Sequence, residues 1–110
     1  MNKKNPYKID VPVLLIFFCR PGPFRRTFSA VKMARPSKLF LYQDGPREGR
    51  PDDANGIAEC RAIAEDIDWE CEVHKFYQEK NVGCDPSEYI AQKWAFECVD
   101  RRSEEHTSEL

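Results

Sequence analysis

The sequence predicts an α/β fold: a three-layer, Rossmann-like open parallel sheet with its elements in the order β-α-β-α-β-α. Three observations carry this. Residues 11–19 form an almost wholly apolar run, the pattern of a strand covered on both faces, and such strands belong to parallel sheets flanked by helices. A short apolar stretch, 39–42, and an alternating one, 70–76, each follow a segment whose apolar residues fall at helical spacing. Loop signals rich in Pro, Gly and Asp separate the segments.

Each element has a local reason. After the first strand, Arg20-Pro21-Gly22-Pro23 reads as a loop. Phe24, Phe28 and Val31 then mark one helical face, and Arg35-Pro36 ends that helix. The second strand, 39–42, runs into Gln43-Asp44-Gly45-Pro46, a strong turn sequence. A polar loop with Gly49 and Pro51 follows. Asp53 is expected to cap a helix in which Ile57, Cys60, Ala64 and Ile67 make the apolar stripe. Cys71 and Val73 alternate with polar residues, so 70–76 reads as a half-exposed strand. Beyond the loop 77–84, Asp85 is expected to cap a third helix, with Pro86 in its first turn and Glu88 reaching back. Ile90, Ala91, Trp94, Ala95 and Cys98 supply its buried face. Such alternation implies right-handed crossovers. Three strands are fewer than the usual four to six or so, so the chain is expected to be the front part of a larger fold.

Length and composition set bounds. With 110 residues and 12.8 kDa the chain makes one small domain. Hydrophobic residues at 41% and aromatics at 12% permit a packed core and exclude global disorder. A net charge of −2 gives no reason to expect nucleic acid or an anionic membrane as partner. The five cysteines contain no Cys-x-x-Cys pair, which disfavours a zinc ribbon or thioredoxin-like site. Their odd number fits free thiols in a reducing compartment. Lys3, Lys4 and Lys8 ahead of an apolar run mimic a signal peptide, but Asp10 and Pro12 interrupt it and Arg20-Pro21 replaces the small-residue cleavage site. The run is too short to cross a bilayer. The expected location is cytoplasmic, with no transmembrane segment.

The last nine residues, Arg-Ser-Glu-Glu-His-Thr-Ser-Glu-Leu, carry almost nothing apolar and no periodicity. They resemble the conceptual translation of a DNA-sequencing library adapter. Residues 102–110 are therefore read as a non-native tail, residues 1–101 as natural protein, and His106 is given no catalytic weight.

Several motifs are absent: Gly-x-Gly-x-x-Gly after the first strand, a Walker A loop, and a Gly-x-Ser-x-Gly elbow. His74 has no Cys or Asp partner at useful spacing and reads as a surface histidine. Asp52 and Asp53 read as helix-start carboxylates rather than a metal pair.

In open α/β sheets ligands bind beyond the carboxyl ends of the strands. Three loops leave those ends here, 20–23, 44–53 and 77–84. Asp44 could accept hydrogen bonds from a base or ribose, or could simply build the Asp-Gly-Pro turn. Arg20 could stack on a base or bind phosphate, or could be an exposed charge ending a strand. Lys80-Asn81-Val82-Gly83 offers a cation, an amide and a backbone open to close approach, or only a loop with a left-handed glycine.

Together, Val-Leu-Leu-Ile-Phe-Phe-Cys-Arg-Pro, Leu-Phe-Leu-Tyr-Gln-Asp-Gly-Pro-Arg and Glu-Lys-Asn-Val-Gly-Cys resemble bacterial nucleotide-diphospho-sugar transferases. These are similar to family-two glycosyltransferases and N-acetylglucosaminyltransferase I. The resemblance spans roughly residues 11–98. It rests on order and spacing more than on any single piece. It implies the N-terminal part of a GT-A fold and a nucleotide-sugar donor of the UDP-sugar type. The acceptor would be a carbohydrate or other hydroxyl. By the same resemblance Arg20 and Pro21 line the base and ribose, Asp44 binds the base, Asn81 and Gly83 approach the nucleotide, and Lys80 contacts the diphosphate. Relatives hold Mn²⁺ or Mg²⁺ on an acidic motif, with the catalytic base later still. Neither is expected before Arg101, so no catalytic or metal residue is assigned and this fragment is expected to be inactive. The alternative is a non-catalytic α/β interaction or regulatory module.

Overall fold

The structure is a computed structural model that describes residues 5–108, with side chains described for 5–99. Its elements are β1 (Ile9–Phe17), α1 (Pro21–Ala34), β2 (Pro36–Gln43), α2 (Pro51–Ala64), β3 (Glu72–Tyr77) and α3 (Cys84–Ser108). The strands form one parallel sheet in the order β1-β2-β3. The α/β class, the element order and the open parallel sheet are as the sequence predicts.

Alternation along β2 divides the two faces. Leu39 and Leu41 join Leu15, Phe17, Phe24, Phe28, Cys60, Ala64 and Trp69 in the main core, under α1 and α2. Phe40 and Tyr42 point the other way. There Trp94 of α3 sets its ring edge-on against Phe40 and Phe76, and Ala91 and Ala95 are buried. Two helices on one face and one on the other make the three layers. Full burial of one large apolar side chain contributes roughly 1.5–3 kcal/mol. Trp69 and Phe28 are the largest such contributors on the α1/α2 face. Trp69 also donates from Nε1 to the Pro36 carbonyl at 2.8 Å, tying the α2–β3 connection to the start of β2.

The structure corrects several boundaries. The 20–23 segment is not a loop: Pro21 is the first residue of α1 and Pro23 lies in its first turn, where a missing N–H costs nothing. Arg35 closes α1 in the left-handed region, at φ 46°, with its N–H on the Val31 carbonyl, and the chain enters β2 at once. β2 therefore starts at Pro36 rather than 39. Asp53 and Asp85 lie in the first turns of α2 and α3 rather than at their caps. Ile67 lies past the end of α2 but still packs on the core.

One expectation about burial fails. The first strand was expected to be covered on both faces, yet β1 lies at the sheet edge with Ile9, Val11 and Ile16 exposed. The central, buried strand is β2, in which residues 39–43 are all buried. α3 continues helically to Ser108, through most of the segment read as a non-native tail. The side chains of 100–110, including His106, lie outside the described residues. Among the described residues no helix is long and apolar enough to cross a membrane.

Gln43 locks the strand ends together. It is fully buried. Its Nε2 donates to the Phe18 carbonyl at 2.8 Å and to that of Ile57 at 3.2 Å, and its Oε1 accepts from Arg61 Nε at 2.6 Å. Its own carbonyl accepts from the Gln78 N–H at 2.9 Å. One side chain thus joins the exits of β1 and β2 to α2, and its backbone joins them to β3.

Candidate functional site

The site is built around Asp44, the first residue beyond β2. Its carboxylate is buried and accepts four hydrogen bonds: at Oδ1 from the Gly45 and Val82 N–H groups at 2.8 and 2.9 Å, and at Oδ2 from the Gly83 N–H at 3.1 Å and Asn81 Nδ2 at 3.0 Å. A carboxylate has about four acceptor positions, so the capacity of this one is met within the protein. Asn81 Nδ2 also donates to the Gly45 carbonyl at 3.0 Å. The Asp44 N–H donates to the Phe17 carbonyl at 3.2 Å. Asp44 therefore staples the exits of β1, β2 and β3 to one another. Gly45 is required at this staple, because a Cβ there would lie 2.6 Å from the Lys80 backbone carbon.

The staple opens onto a cleft of about 560 Å³ lined by Ile16, Phe17, Phe18, Asp44, Arg47, Asn81, Gly83, Cys84, Ser87 and Glu88. It lies beyond the carboxyl ends of β1 and β2, at the first turn of α3. Gly83 has φ 99°, a conformation favouring glycine, and it turns the chain into α3. Ser87 is buried, and its Oγ lies 3.1 Å from the Tyr42 hydroxyl, which fixes α3 to the central strand.

Arg47 also lines the cleft and is held from behind its lining by Asp53. Arg47 Nε and Nη2 donate to the two Asp53 oxygens at 2.9 Å each, and the Arg47 N–H donates to Oδ2 at 2.9 Å. Arg47 also lies over the Phe18 ring, 5.4 Å from its centroid. The guanidinium and backbone N–H hold the Asp53 carboxyl well below the usual carboxylate range, while Asp53 raises the pKa of Arg47. The Cys19 Sγ lies 3.8 Å from Asp53 Oδ1, and burial, then the Asp53 charge, push this thiol up.

The structure groups only some of the residues named from sequence. Asp44, Asn81 and Gly83 come together in the cleft. Arg20 lines a neighbouring recess that shares Ile16, Phe17 and Phe18 with it. Pro21 serves as the first residue of α1 and lines neither hollow. Lys80 is exposed and lines an adjoining hollow of about 570 Å³ with Pro46, Arg47, Glu48, Glu79 and Asn81. Sequence reasoning missed Arg47, Phe18 and Gln43. The pairing of Arg47 with Asp53 spans a loop, and no periodicity signals it. A larger recess, about 700 Å³, runs along α2 beside Tyr77 and contains none of the residues predicted for the site.

His74 lies in β3 as expected, but it is half-buried. Its ring stacks on Phe40 at 4.9 Å and its Nε2 hydrogen-bonds Glu72 at 2.7 Å. All five cysteines are free, Cys60 buried and Cys84 exposed at the start of α3. Among the described residues no three His, Cys, Asp or Glu side chains are grouped so as to hold a metal ion. No protein-family model, curated protein or solved structure matches the sequence or its fold.

Proposed function

We propose that this chain is the donor-binding part of a glycosyltransferase, gripping a UDP-sugar whose sugar passes to an acceptor hydroxyl. One observation carries the reading: the loops leaving all three strands meet at Asp44 beside a cleft at the carboxyl ends, where open α/β sheets bind nucleotides. The resemblance in the three loops supplies the chemistry. Phe18 offers an aromatic wall for a base, and Arg47 offers a cation for phosphate. The share of the reaction assigned to these residues is binding. Divalent-metal chemistry and the catalytic base are assigned to none of them. Asp44 acts in this reading through the loop it shapes, since its own acceptor positions are filled.

That same saturation favours a second reading, a non-catalytic α/β interaction module in which Asp44 only staples loops. Calorimetric titration with UDP and with uridine separates the two. The donor-binding reading expects saturable UDP binding that weakens when Phe18 is replaced by Ala. Absence of UDP binding at millimolar concentration would favour the module.

A further inference from the structure

We propose that Arg47 holds the negatively charged part of the ligand in the cleft, oriented for that task by Asp53 and Phe18. This rests on the reading that the cleft takes a nucleoside diphosphate, and it moves the phosphate contact from Lys80 to Arg47.

Four observations support it. Among the described residues that line the cleft Arg47 is the one cation; the other charged groups there are the carboxylates of Asp44 and Glu88. Glu88 repels the negative end of a ligand, and Arg47, although paired with Asp53, is the group in this lining that can attract it. Second, the guanidinium is held before any ligand arrives. Two of its five N–H groups donate to Asp53, whose side chain is only 5% exposed, and its face lies against Phe18. Fixing a long side chain in advance removes much of the entropy cost of binding.

Third, donors remain. Among the described residues the other three N–H groups of Arg47 have no protein acceptor, and its side chain is 46% exposed. A planar fork with free donors suits the oxygens of a phosphate. Fourth, Lys80 has no hydrogen-bond or ion-pair partner among the described residues to fix it in advance. It is exposed and lies beyond Asn81, outside the cleft.

The test is titration of UDP, uridine and inorganic pyrophosphate into the full chain and its Arg47→Gln, Arg47→Lys and Lys80→Ala variants. Arg47→Gln is expected to lower UDP affinity about tenfold, the loss of one charge-assisted contact, while uridine affinity changes less than about twofold. Retained uridine binding shows that the cleft is intact. If Arg47→Gln loses uridine as well, Arg47→Lys decides: weakened UDP with uridine retained supports the proposal, and unchanged UDP overturns it. A larger UDP loss from Lys80→Ala than from Arg47→Gln, with uridine retained, overturns the Arg47 assignment and leaves the nucleotide reading standing. If the wild-type chain binds neither UDP nor uridine, the nucleotide reading falls. In that case pyrophosphate binding that depends on Arg47 still supports an anion site, and its absence overturns that too.

Discussion

Replacing Asp44 with Asn tests the staple most sharply. The two side chains are nearly the same size, so the change is one of hydrogen-bonding capacity and charge. One oxygen becomes an NH₂ group. That group faces either the Gly83 N–H and Asn81 Nδ2, or the Gly45 and Val82 N–H groups. Two donors then lose their acceptor whichever way the amide turns. Hydrogen bonds to a charged group contribute roughly 1.5–3 kcal/mol each. Asn81, Val82 and Gly83 are only half-buried, so water replaces part of the loss. A destabilisation of about 2–4 kcal/mol is expected, against a total of about 5–15 kcal/mol for an ordinary domain. The assay is urea unfolding, read as a fall in the midpoint with the slope unchanged. Hydrogen exchange at the Val82 and Gly83 amides should accelerate in the folded state. A change below about 0.5 kcal/mol, the size of an ordinary surface substitution, would refute the staple.

Three other changes probe the frame that carries the site. Gly56→Ala in α2 should destabilise, although Ala normally favours a helix by about 1 kcal/mol, because its Cβ would lie 2.1 Å from the Cys19 carbonyl oxygen. A net loss of about 1–2 kcal/mol in urea midpoint experiments is expected from overpacking, and a gain would contradict the close approach. Trp69→Phe should cost about 2–3 kcal/mol, since it leaves the Pro36 carbonyl without its donor and opens space in the core. For Asp53, folding lowers the carboxyl pKa through Arg47, so the unfolded chain takes up the proton first as pH falls. Its contribution is full above about pH 5 and declines below about pH 4, toward the folded value. The gap in urea midpoint between wild type and Asp53→Asn should narrow from pH 7 to pH 3, and a constant gap would remove the linkage.

The elements were legible because hydrophobic period and turn chemistry are local signals. Phe24 and Phe28, Ile57 and Cys60, and Ala91 and Ala95 all lie buried where helical spacing put them. Boundaries were less legible. Prolines at 21 and 51 read as loop residues, yet each occupies the first position of a helix, where proline's fixed φ is an advantage. Which strand lies in the middle is a matter of tertiary order. The apolar run of β1 therefore suggested a buried strand where the structure places an edge.

The site divides in the same way. Asp44, Asn81 and Gly83 were legible because they sit at strand exits in a recognisable order, and they meet in space. Their mutual bonding was not, since it joins residues 37 to 39 positions apart. Gln43 looked like part of a turn and is instead a buried tie between strand ends. Arg47 and Asp53 were read separately, one as a loop residue and one as a helix cap, and only the folded loop shows them as a pair.

The central claim is that the three strand-end loops form one nucleotide cleft. It is tested most directly by titrating UDP into isotopically labelled protein and following the backbone amides by NMR. The account predicts saturable shifts concentrated at Phe18, Asp44, Arg47, Asn81, Gly83 and Cys84, the residues around the cleft. Shifts confined to the recess along α2, at Ala54, Ala58 and Arg61, or no shifts at millimolar UDP, would contradict it.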